Sequence, residues 1–89
     1  MDKKDLLFFY GFECPYCVDS EKIIDDLILE GFDIKKLEIW HNEENDKLME
    51  KLDVGENACN GIPFFLNQKT GKTICGNAPK EEIIAWAKG

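Results

Sequence analysis

GFECPYCVDSEK, residues 11–22, sets two cysteines two residues apart with a proline between them, and a helix-like run begins at once. The spacing Cys14-x-x-Cys17 suits half of a metal site, a structural disulfide, or a redox centre that opens and closes in use. The flanking residues say where the pair sits. Upstream, Asp5 to Tyr10 contains an almost unbroken apolar run bounded by Gly11, as expected of a strand buried on both faces. Downstream, Pro15 suits the first helical position, where no amide hydrogen is needed. The polar residues Asp19, Glu21, Lys22, Asp25 and Asp26 leave Val18, Ile24, Leu27 and Ile28 to pack inward, and Gly31 ends this helix near Glu30. Cys14 therefore falls at the N-cap of a helix that follows a buried strand.

The rest of the chain extends this unit. Phe32 to Trp40 alternates imperfectly and is expected to be a second strand, joined through the helix and so parallel to the first. Asn42 or Asn45 caps a second helix whose Leu48 and Leu52 are four apart, with Gly55 just past its end. A loop runs to Gly61. Ile62 to Leu66 and Lys72 to Cys75 then flank NQKTG, a hairpin signal that makes these two strands antiparallel. Asn77 to Lys88 closes the chain as a helix, with Pro79, Glu81 and Glu82 in its first turn. The expected order is βαβαββα.

Bulk properties limit the function classes. At 89 residues and 44% apolar content there is material for one domain, residues 1–89, and one modest core. The apolar run Leu6–Tyr10 is too short for a signal sequence or a membrane span, so the expectation is a cytoplasmic protein without a membrane partner. Thiols in the cytosol are kept reduced, so four cysteines there point to metal or redox chemistry rather than a disulfide framework. A net charge of −7 repels phosphate backbones and argues against nucleic acid as a partner.

At the N-cap, unpaired amides and the positive end of the helix dipole stabilise an anion, and at Cys14 that anion is a thiolate. Cys17 lies three positions on, on the same side of the first turn, and can attack the mixed disulfide that Cys14 forms. Glu13, Asp19 and Glu21 surround the pair and temper the thiolate, with no cation nearby in sequence.

The stretch FFYGFECPYC, with GIPFF later and TICGNAPKEEI after it, resembles the glutaredoxin family of the thioredoxin-like superfamily over essentially the whole chain. The resemblance implies an α/β thioredoxin-like fold with a four-stranded mixed sheet flanked by helices. It also implies a monomeric thiol-disulfide oxidoreductase, with Cys14 and Cys17 catalytic and no tightly bound cofactor or metal. Its partners would be disulfide-containing proteins or glutathione as cosubstrate, with a reductase or glutathione as electron source. Pro15 and Tyr16 complete the family's Cys-Pro-Tyr-Cys site. Ile62 and Pro63 match its cis-proline segment, in which Ile62 offers its backbone to an incoming peptide or glutathione. Gly76, with Asn77 as a hydrogen-bonding cap, stands where members carry a Gly-Gly pair and an acidic residue. Glu13 replaces a basic or neutral residue and is expected to modulate the site by repelling anionic glutathione.

Two other readings compete. Cys14, Cys17, Cys59 and Cys75 could serve as four thiolate ligands of a metal or iron–sulfur centre, although the spacing lacks a second close pair. A redox-inactive binding module would keep the fold and use its groove for protein contacts. Cys59 and Cys75 otherwise read as small apolar residues, Cys59 alternatively as a secondary redox or glutathionylation site. His41 reads as a loop residue with no partner, and Phe12 as an aromatic flanking the site.

Overall fold

The structure is a computed structural model that describes residues 5–55 and 58–89. Residues 1–4 and 56–57, at the N-terminus and in the loop before Gly61, lie outside the described residues. The order is β1 (Leu6–Tyr10), a single 3-10 turn (Pro15–Cys17), α1 (Val18–Leu29), β2 (Ile34–Glu38), α2 (Glu43–Leu52), β3 (Phe64–Asn67), β4 (Thr73–Cys75) and α3 (Lys80–Lys88).

All five residues of β1 are buried, and alternation divides them between two cores. Leu6, Phe8 and Tyr10 join Ile24 and Leu27 of α1 and Ile83 and Trp86 of α3 on one face of the sheet. Leu7 and Phe9 join Leu37, Phe64 and Met49 of α2 on the other. Phe8 and Phe9 are fully buried, each contributing roughly 2 kcal/mol of transfer free energy. The sheet order is β2-β1-β3-β4. β1 runs parallel to β2, opening on the pair Leu6↔Ile34, and antiparallel to β3, while β3 and β4 form the expected hairpin. The four-stranded mixed sheet between helices is thus as the sequence implies.

Several details differ from the expectation. The α1 face that packs inward is Cys17, Ser20, Ile24 and Leu27, spaced three, four and three apart. Val18 and Ile28 each lie one residue beyond that stripe, about 100° around the helix, and are exposed. The first turn after Cys14 is 3-10 rather than α. Ile62 and Pro63 precede β3, which instead extends to Asn67. Asn67 is buried because its side chain closes the hairpin: Oδ1 accepts from the amides of Lys69 (3.0 Å) and Thr70 (3.3 Å), and Nδ2 donates to the carbonyl of Trp86 (2.9 Å). α3 begins at Lys80, three residues later than expected, because Pro79 is extended at the N-cap (ψ 156°) and Asn77 is turned back toward α1. Asn42, rather than Asn45, caps α2, its side chain accepting from the Asn45 amide at 3.1 Å.

Candidate active site

The segment leaving β1 must turn sharply to start α1, and Gly11 is where it turns. The Gly11 carbonyl accepts from the Cys14 amide at 3.1 Å, and the Cys14 carbonyl from the Cys17 amide at 3.1 Å. Cys14 keeps an extended backbone (φ −78°, ψ 111°) at the N-cap, and Pro15 occupies the first helical position, as the sequence implies. Trp40 packs on the turn so closely that a Cβ at Gly11 would lie 2.5 Å from its Cδ2.

Cys14 and Cys17 are both free thiols and both buried, 3% and 1% exposed. Burial first, then a hydrogen bond to Cys14, push the Cys17 thiol up to about 12; the charges of Cys14 and Glu21 act the same way, and the Gly11 backbone opposes them. Cys17 therefore stays protonated at neutral pH and presents its S–H to Cys14. Pro15 and Tyr16 lie on the outside of the turn, and Tyr16 and Phe12 expose about two thirds of their surface beside the pair (68% and 65%).

Glu13 is not the unpartnered anion that its sequence neighbours imply. The fold brings His41 across 28 residues to place Nε2 at 2.7 and 2.9 Å from its two carboxylate oxygens, with the imidazole stacked on Phe12. The hydrogen bond and the charge of Glu13, with a smaller contribution from Glu38, raise His41 above its ordinary value against a slight desolvation. Glu38, buried at the end of β2, accepts from the amides of His41 (2.8 Å), Phe12 (3.0 Å) and Trp40 (3.2 Å). Burial pushes this carboxyl up, but those three bonds and the His41 charge together outweigh it and hold it below its ordinary value. Glu38 thereby fastens the loop before Cys14 to the loop after β2. Sequence reasoning missed both residues, since nothing in the spacing of Glu13, Glu38 and His41 signals their meeting. Among the described residues these three form a group of three metal-type donors whose atoms lie within 4.8 Å of one another, and the four cysteines form no such group.

The Ile62-Pro63 bond is cis, as the resemblance implies. Pro63 is buried, and its carbonyl accepts from the Gly76 amide at 2.8 Å, so the proline segment and the residues after β4 are neighbours. Ile62 packs against both cores, the first of which contains Cys14 and Cys17. Among the described residues neither its N–H nor its C=O has a hydrogen-bond partner. Gly76 adopts φ +89°, which favours glycine, and Asn77 Oδ1 accepts from the buried Ser20 hydroxyl at 2.8 Å. Asn77 is thus tied to α1. An open groove of about 320 Å³ runs past Gly61, and Asp46, Glu50 and Asp53 line it together with Met49 and Ile39.

Cys59 and Cys75 correct the sequence reading. They are joined in a disulfide, with Cα atoms 5.5 Å apart, and so are neither separate apolar residues nor part of a four-thiolate centre. The hairpin register explains the meeting: Cys75 pairs with Phe64, placing it beside the chain that enters β3.

No family model matches the sequence, and no curated protein matches it. The four-stranded mixed sheet between helices is a thioredoxin-like fold. Among solved structures, the glutaredoxin (grx-1) from Archaeoglobus fulgidus is similar, with a TM-score of 0.67 at 21% identity over 97% of this chain and 88% of that one. Among the described residues no helix is long and apolar enough to cross a membrane.

Proposed function

We propose that this protein is a thiol-disulfide oxidoreductase of the glutaredoxin family that reduces protein or glutathione mixed disulfides through Cys14 and Cys17. The observation that carries the reading is the inequality within the pair: Cys17 is held as a thiol up to about 12 and hydrogen-bonds to Cys14. The attacking thiolate is then Cys14. It displaces one sulfur of the substrate disulfide, giving a mixed disulfide on Cys14 and a departing thiolate that takes up a proton. Cys17 loses its proton as it attacks the Cys14 sulfur, forming the Cys14–Cys17 disulfide and releasing the second substrate thiol. Two electrons pass from the dithiol to the substrate. Two molecules of glutathione, or the dithiol of a reductase, return them.

The unpaired backbone of Ile62 supports docking of the substrate as a short added strand. Gly76 and Asn77 complete that docking surface, with Pro15 and Tyr16 opposite. The proposal extends to a monomer acting in the cytoplasm, where thiol reductants are supplied.

The test is reduction of a peptide mixed disulfide, assayed in parallel with glutathione plus glutathione reductase and with a thioredoxin reductase. Turnover in either assay that is lost in Cys14→Ser is expected. Absence of turnover in both, by fully folded protein with reduced Cys14 and Cys17, would contradict the proposal.

A further inference from the structure

The Cys59–Cys75 disulfide lies between the two segments assigned to substrate docking. Cys59 is three residues before Ile62, and Cys75 immediately precedes Gly76. The bond closes a loop across a sequence separation of 16. Within that loop the chain from Cys59 to Gly61 has few other attachments. Among the described residues they are the packing of Cys59 against the second core and the bonds from the Cys59 and Asn60 amides to the Asp53 carboxylate, both 2.6 Å. Asn60 holds the left-handed conformation (φ 57°) beside them, which is uncommon for a residue other than glycine. Beyond Gly61, Ile62 carries the unpaired N–H and C=O that an added strand would use. Cys75 is an exposed residue of the three-residue strand β4 whereas Cys59 is half-buried, so Cys75 is the member of the pair that an external thiol meets first.

We propose that Cys59 and Cys75 form a second redox site, distinct from Cys14 and Cys17, whose disulfide state sets how firmly the Ile62 segment is held for docking. This rests on the reading of Ile62 as a docking strand. The reductant is a low-molecular-weight thiol. Its thiolate attacks the Cys75 sulfur, the S–S bond breaks, and Cys59 leaves as a thiolate that takes up a proton. A second thiol then attacks the mixed disulfide on Cys75. The products are two cysteine thiols and one small-molecule disulfide, a balanced two-electron exchange. Opening the bond removes the covalent tie between the chain leading into Ile62 and the chain leading into Gly76. The Pro63 carbonyl keeps its bond to the Gly76 amide, so β3 and β4 remain paired while the approach to Ile62 gains freedom.

Two measurements test this. In a Cys14→Ser/Cys17→Ser background, which leaves only the second pair, amide hydrogen exchange is compared before and after reduction by dithiothreitol, with thiol content mapped by alkylation and mass spectrometry. The expected result is a disulfide in the untreated protein and, after reduction, faster exchange at the Cys59 and Asn60 amides, which are bonded to Asp53, while the Gly76 amide, β1 and α1 keep their protection. In the chain with Cys14 and Cys17 intact, Cys59→Ser/Cys75→Ser is expected to raise KM for a peptide mixed disulfide several-fold with kcat unchanged. The same variant should leave the rate at which iodoacetamide alkylates Cys14 unaltered. Unchanged exchange, an unchanged KM, or free Cys59 and Cys75 thiols in aerobically oxidised protein would overturn the proposal. If no disulfide substrate is turned over, the oxidoreductase reading fails, and the exchange comparison still decides whether the bond controls the segment.

Discussion

His41 Nε2 sits 2.7 Å from the Glu13 carboxylate, immediately before the first cysteine of the site, although 28 residues separate the two in the chain. The acidic residue that should repel an anionic substrate therefore carries its own counter-charge, and that counter-charge depends on pH. Below the raised His41 value the pair is neutral overall. Above it, Glu13 stands as a net negative charge beside Cys14.

The pair gives a titration with a definite sign. His41 is raised in the folded protein, so its pairing contributes stability that is fully present below the unfolded value of about 6.5 and is lost as pH rises through the folded value. Imidazole proton shifts followed by NMR should show a His41 midpoint above the ordinary one, and Glu13→Gln should bring it down. Equal midpoints in the two proteins would show that the ion pair does not form in solution.

Glutathione turnover should respond to the same charge. Both groups are more than half exposed, so salt screening limits the effect to a few-fold change. Glu13→Lys is expected to raise the rate with glutathione more than the rate with a small uncharged disulfide, and the difference should shrink at high ionic strength. Equal, salt-independent effects on both substrates would mean that Glu13 faces away from the docking path.

Glu38→Gln should destabilise the fold by about 1–3 kcal/mol, because an amide cannot accept three backbone donors as the carboxylate does and its NH2 would face one of them. The Glu38 value is lowered, so its contribution is present above the unfolded carboxyl value and is lost as pH falls through the folded one. Urea unfolding of both proteins should differ at pH 7 and converge toward pH 3. A constant difference across that range would contradict the assignment.

Gly11→Ala should cost about 1–3 kcal/mol in the same unfolding experiment, since the new methyl meets the Trp40 ring. Trp40→Ala should remove most of that penalty in the double variant. Additive losses would place the strain elsewhere.

The order of elements along the chain and the Cys14 turn were legible because local signals agreed: a buried apolar run, a proline at the first helical position, a glycine after the helix, and a hairpin turn. The α1 face was only partly so. Ile24 and Leu27 followed the helical period, but Ser20 sits on the inward stripe, where polarity alone would have put it outside, because the fold supplies Asn77 as its partner. Glu38 was invisible for the same reason, since its burial makes sense only once three amides from two loops converge on it. The Cys59–Cys75 bond depends on the hairpin register, which composition does not specify. Expecting cytosolic thiols to stay apart also argued against it.

Trapping the covalent intermediate bears most directly on the division of labour between Cys14 and Cys17. Cys17→Ser protein, mixed with a peptide mixed disulfide and quenched in acid, should carry one peptide adduct mapped by mass spectrometry to Cys14, and Cys14→Ser should carry none. An adduct on Cys17 in the Cys14→Ser protein, with reduction of the substrate continuing at the native rate, would contradict the account.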